Sequence, residues 1–109
     1  MTETEFLERA EAVLRSLESA IDAVEGDIEI TRAGNVMTLE VSDGSKIVVN
    51  SQAPMQQMWV AARSGAHHYA WDGSAWRDTR DGSELFAALS RIVSALGGVP
   101  IVLPSKSAR

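Results

Sequence analysis

The hydrophobic period changes twice along this chain, and that change constrains its layout more than any other feature. Between Thr4 and Glu25, the residues Phe6, Ala10, Val13, Leu14, Leu17, Ile21 and Val24 recur at spacings of three, four and seven. That is the stripe of a one-sided helix. Thr2 or Thr4 can cap its start, and Gly26 ends it. From Asp27 the period drops to two: Ile28 and Ile30 alternate with Asp27, Glu29 and Thr31. A turn at Ala33 to Asn35 leads into a second run with Met37, Leu39 and Val41 on one side. Asp43-Gly44 leads into a third with Ile47 and Val49. After Pro54 come QQMWVAAR and AHHYAW, then the Asp72-Gly73 turn and SAWRD. The helical period returns from Asp81 to Leu96, with Leu85, Leu89, Ile92 and Leu96 on one face and capping-box spacing between Asp81 and Glu84.

Helix, about six short strands, helix: each element has one apolar face to bury. The economical solution is an α+β fold, a two-layer sandwich with both helices on one face of an antiparallel sheet. The other sheet face then meets solvent. Residues 1–109 make one domain. From about 97 the chain is not helical, because Pro100 and Pro104 interrupt it. Ile101 to Leu103 is expected to pack in extended form over the helices, with the last residues disordered.

Charge is segregated along the chain. Nine of fifteen acids lie in the first thirty positions against Arg9 and Arg15, whereas the remainder carries six acids and eight Lys/Arg. Such a segregated field suits a cation or a basic partner and opposes nucleic acid. With no cysteine, disulfides, thiolate metal sites and thiol catalysis are excluded. The start MTETEFLERAEAV is acidic and lacks an apolar run, unlike a secretory or mitochondrial targeting segment. No stretch approaches the roughly 18 apolar residues of a membrane helix. The expectation is a cytoplasmic monomer with no membrane or nucleic-acid partner. No G-x-S-x-G elbow or glycine-rich phosphate loop occurs, so nothing marks an enzyme.

The solvent face of the sheet is unusual. Asn50, Gln52, Gln57, Trp59 and Arg63 project from it or from its loop, and an outward Trp ringed by amides and an Arg suits a protein interface. A one-residue slip would instead bury Trp59 and expose Met58 and Val60. His67 and His68 are adjacent on a strand and face opposite sides. His68 shares the Trp59 face if Tyr69 and Trp71 point inward.

The run Asp43 to Trp59, DGSKIVVNSQAPMQQMW, resembles the frataxin family. Gly44, Ser45, Lys46, Ile47, Asn50, Gln52, Pro54, Gln57 and Trp59 carry the pattern G-S-K-I-x-x-N-x-Q-x-P-x-x-Q-x-W. Further marks are an acidic first helix from Thr4-Glu5-Phe6, the Gly26-Asp27 junction, and the Asp72 to Trp76 segment before Asp81-Gly82-Ser83. The likeness covers nearly the whole chain and, with no transit peptide, points to the bacterial members. Residues 97–109 match no part of it.

The resemblance implies an α/β sandwich, weak iron binding along the first helix and strand, and a part in iron–sulfur cluster assembly. There a family member docks on the cysteine desulfurase and its scaffold protein and modulates them. The residues fit the metal part independently. Glu11, Glu18, Asp22 and Glu25 form a stripe flanking the apolar one, and Asp27 and Glu29 follow on the next strand. Carboxylates are hard ligands for Fe(II) and Fe(III), with Mn(II), Co(II) or Ca(II) able to substitute. Since no loop holds two of them together, the sites should be shallow, water-rich and weak. Two rivals remain: a ferroxidase or iron-storage enzyme working in metal-driven oligomers, and an acidic interaction module that needs no metal.

Overall fold

The computed structural model describes residues 1–22 and 28–97. The expected helix end at Val24 to Gly26 and the tail from Gly98 lie outside those residues. The elements run α1 (Glu3–Asp22), β1 (Glu29–Ala33), β2 (Val36–Glu40), β3 (Lys46–Gln52), a 3-10 turn (Ala53–Met55), β4 (Gln57–Ala62), β5 (Gly65–Trp71), β6 (Trp76–Asp78) and α2 (Leu85–Gly97). The six strands form one antiparallel sheet in sequence order, a meander closed by short turns.

The start of α1 is fixed by a reciprocal capping box. The Thr2 hydroxyl accepts the Glu5 N–H (3.1 Å), and the Glu5 carboxylate accepts the Thr2 N–H (2.9 Å). Those bonds hold the Glu5 carboxyl below its ordinary value. The α1 stripe then buries Phe6, Ala10, Val13, Leu14, Leu17 and Ile21. Against them lie Met37, Leu39, Ile47, Val49, Met58, Val60, Tyr69 and Trp76 from the sheet, with Leu85, Phe86, Leu89 and Val93 from α2. All belong to one cluster, so both helices cover the same sheet face. Each large apolar side chain so buried contributes about 1.5–3 kcal/mol. The Phe6 and Trp76 rings meet edge to face at 5.9 Å. Burial also pushes the Tyr69 hydroxyl up to about 12.

One expectation needs correction. The second helix begins at Leu85, not at Asp81. Asp81 and Asp78 instead tie down the preceding turn: Asp81 Oδ1 accepts the Ser83 N–H (2.9 Å), and Asp78 Oδ1 accepts the Arg80 N–H (2.7 Å). Gly82 adopts φ +77° within that turn. The cap is Glu84, whose two carboxylate oxygens accept the Phe86 and Ala87 N–H groups, each at 3.0 Å. Local side-chain bonds outcompeted helix continuation, as short acidic residues often do. Trp71 shares the core side of β5 with Tyr69, as expected, and is half-buried there. It packs at the rim of the core against Trp76 (5.5 Å), with the Arg9 guanidinium 4.4 Å from its ring centroid.

Candidate functional site

Two surfaces carry the candidate residues, and they are built differently. The first is the sheet face away from the helices. The burial of Met58 and Val60 sets Gln57, Trp59 and Ala61 outward, which is the expected register. Cross-strand pairing then aligns Asn50 with Trp59 and Trp59 with His68. The Trp59 and His68 rings stack with centroids 4.3 Å apart and planes 16° from parallel. The indole N–H of Trp59 donates to Gln57 Oε1 at 2.9 Å, so its polar edge is already satisfied. Gln52 pairs with Gln57 in the next row. The strands thus bring Asn50, Gln52, Gln57, Trp59 and His68 into one patch.

Arg63 does not join them. It lies beyond the end of β4, and its guanidinium bonds the Ser45 hydroxyl and sits 3.7 Å from Asp43. The Ser45 N–H (2.8 Å) holds the Asp43 carboxyl below its ordinary value. Arg63 therefore braces the β2–β3 turn. His67, on the opposite side of β5 from His68, places Nδ1 3.0 Å from the buried Asp78 Oδ2. Asp78 had no sequence signal. Its burial follows from β6 turning directly into the α2 approach.

The second surface is the α1 flank beside β1. Glu11 is half-buried and bound by Arg32 of β1, with Arg15 at 3.8 Å. The Arg32 hydrogen bond holds the Glu11 carboxyl below its ordinary 4.5 and pushes Arg32 further up. Arg32 also feels the charge of Glu18. Glu18 is partly exposed and Asp22 exposed. Glu29 is exposed as well. However, the alternation of β1 aims it at the helix-free sheet face, opposite Glu40, which faces Lys46. It is therefore not on the same side as Glu11, contrary to the expectation of a single edge. Glu25 and Asp27 lie outside the described residues.

Among the described residues no three Asp, Glu or His side chains converge to hold one ion. The flank presents its carboxylate oxygens singly or in pairs within a broad negative field. Sequence reasoning missed Arg32 as the partner of Glu11. The signal was present: Arg32 shares the alternation of Ile28 and Ile30, which puts it on the helix-covered side.

A frataxin-like domain matches residues 1–99. A protein from Janthinobacterium sp. (strain Marseille) named iron-sulfur cluster assembly protein CyaY is 56% identical over 108 residues, covering 94% of this chain and 96% of the relative. One of the same name from Cupriavidus metallidurans is 55% identical over 107 residues, with 94% and 96% covered. Among solved structures, the frataxin of Psychromonas ingrahamii superposes with a TM-score of 0.88 at 27% identity, covering 94% of this chain and 97% of that one. A trimeric frataxin from the yeast Saccharomyces cerevisiae in a ferrous complex gives a TM-score of 0.68 at 27% identity, covering 90% and 88%.

Proposed function

The chain belongs to the frataxin-like family, and from that premise we propose that it serves iron–sulfur cluster assembly as an iron-binding regulator or adaptor rather than as an enzyme. The observation that carries the reading is the near full-length likeness to relatives named for that process. The proposed partners are the cysteine desulfurase and the scaffold protein. The α1 flank would meet a basic surface on the first, and the Trp59 patch would meet the second or the junction between them. The proposed working form is a cytoplasmic monomer that metal can drive into oligomers; a yeast frataxin is known as a trimer complexed with ferrous iron. Among the described residues, no helix is long and apolar enough to cross a membrane.

Iron is cargo or effector in this reading. The partly exposed Glu18 and the exposed Asp22 supply hard oxygens, while Glu11 is already engaged by Arg32. Cations on the flank and a basic partner surface would compete for the same negative field, which links iron level to docking. Because Arg32 occupies Glu11 and no three ligands converge among the described residues, a second reading has its own support: a docking module whose acidity needs no metal. Titration with Mn(II), followed by paramagnetic broadening of amide signals, separates the two. Broadening confined to the Glu18–Asp22 end of α1 supports metal binding. Broadening centred on His67 or His68, or uniform weak broadening, counts against it. Saturable oxygen consumption with Fe(II) would instead favour a ferroxidase.

A further inference from the structure

The two edges of the sheet are treated unequally. At the β6 edge the chain covers itself: the Asp78 N–H donates to the Ser83 carbonyl (2.8 Å), and Arg77 bridges to Glu84. At the β1 edge nothing comparable occurs among the described residues. The β1–β2 register, closed by a two-residue turn with Gly34 at φ +61°, fixes which groups are left. Ala33, Thr31 and Glu29 form the hydrogen-bonded pairs with Val36, Thr38 and Glu40, so the N–H and C=O of Ile30 and Arg32 point away from the sheet. Proteins usually blunt such an edge with proline, a bulge, a very short strand or charged side chains, inward-pointing ones included; of these β1 carries only its charges, Glu29 and the Glu11-paired Arg32. β1 is a five-residue strand, EITRA, without proline.

We propose that the β1 edge is a docking site for an extended basic segment of a partner protein, which adds as a seventh strand. This deepens the proposed docking of the acidic flank and rests on that reading for the partner's charge. A strand added at β1 sends alternate side chains to the two sheet faces. On the helix-free face they meet the exposed Glu29. On the other they meet α1, where Glu18 lies close enough to act on Arg32. The positive charge of Arg32 is itself engaged by Glu11, so lysine or arginine is favoured on both faces. A second copy of this chain would instead set its own Glu29 and α1 acids against these, which like-charge repulsion opposes.

The probe is an acetylated heptapeptide with lysine on both faces of the strand, Lys-Lys-Val-Val-Lys-Lys-Val, added to the full chain while amide hydrogen exchange is followed by NMR. Exchange of the Ile30 and Arg32 amides should slow by about tenfold or more. Thr31, already bonded to β2, and Asp78, already bonded to Ser83, should not change. Arg32→Ala and Arg32→Pro both lose the guanidinium, but only proline loses the edge N–H. The alanine variant should keep the peptide, and the proline variant should bind it about tenfold more weakly. Absence of binding overturns the proposal. So does binding that shifts only α1 signals while the edge amides exchange unchanged; that result leaves charge-driven docking of the flank standing. Slowing that depends on protein concentration without peptide assigns the edge to a second copy and also overturns it. Edge protection combined with salt-independent binding to the desulfurase would uphold the edge and refute the flank as its electrostatic dock.

Discussion

On the α1 flank, the partly exposed Glu18 and the exposed Asp22 belong to no cluster of three potential ligands among the described residues. On the sheet face, Trp59 is held by a stacked His68, a hydrogen bond to Gln57 and two flanking strands. In the proposed function the first surface would work through a field, which tolerates movement of its side chains. The second would work through shape and has little charge of its own near Trp59. A field attracts any cation or basic surface from a distance of a Debye length, about 8 Å at physiological salt. A fixed indole discriminates by contact. A protein that must approach a partner, respond to a cation and still choose its partner benefits from separating the two tasks.

The sharpest way to break this contrast is to compare neighbours on β4. Met58 is fully buried, so Met58→Ala should cost about 2–5 kcal/mol of stability. Trp59→Ala loses the ring stack and the indole hydrogen bond to Gln57 but no core packing, so it should cost less, about 1–2 kcal/mol. Equal losses in chemical denaturation would mean that Trp59 is structural. In binding the ranking should reverse: Trp59→Ala should weaken association with the desulfurase–scaffold complex by about 2 kcal/mol or more. Calorimetry showing no change would remove the sheet face from the interface.

These two predictions rest on parts of the molecule that differ in how legible they were. The helix stripes, the strand alternation and the outward register of Trp59 follow from local periodicity, since burial on one face imposes the period. The α2 start was misjudged because the choice between continuing a helix at Asp81 and closing an Asx turn depends on Asp78, which only the folded sheet places there. The acidic stripe was readable, but its pairing was not. Arg32 is 21 residues from Glu11, and their contact exists only once β1 packs beside α1. Arg63 was assigned to the Trp59 patch by parity alone, although it lies past the strand end and is drawn to Asp43 and Ser45.

Smaller effects sharpen the picture of the flank. Glu18→Gln with Asp22→Asn should abolish Mn(II) broadening and leave the fold intact, even slightly stabilised. Removing like-charge neighbours on an exposed helix gains a few tenths of a kcal/mol per pair. Retained broadening would move the cation elsewhere.

The pH dependence of stability offers a further check. The folded pKa of Glu11 is lowered by Arg32, so its contribution is present above the ordinary carboxylate range and lost as pH falls through the folded value. Asp72, held down to about 2 by the Ser74 and Ala75 N–H groups, behaves likewise and loses its contribution at still lower pH. Denaturation curves of Glu11→Gln between pH 6 and pH 3 should therefore slope less with acid than those of the native chain, by well under about 1 kcal/mol for so exposed a pair. An identical slope would mean that the Arg32 contact is not formed in solution.

The division of labour itself is tested most directly by measuring affinity for the desulfurase–scaffold complex across a salt series, for the native chain, for Trp59→Ala and for the Glu18→Gln, Asp22→Asn pair. The native chain should bind more weakly as salt rises. Trp59→Ala should give a parallel line displaced by about tenfold or more, and the double variant a flatter line with little displacement at high salt. A flat native line, or a Trp59→Ala line with a changed slope, would contradict the separation of field from contact.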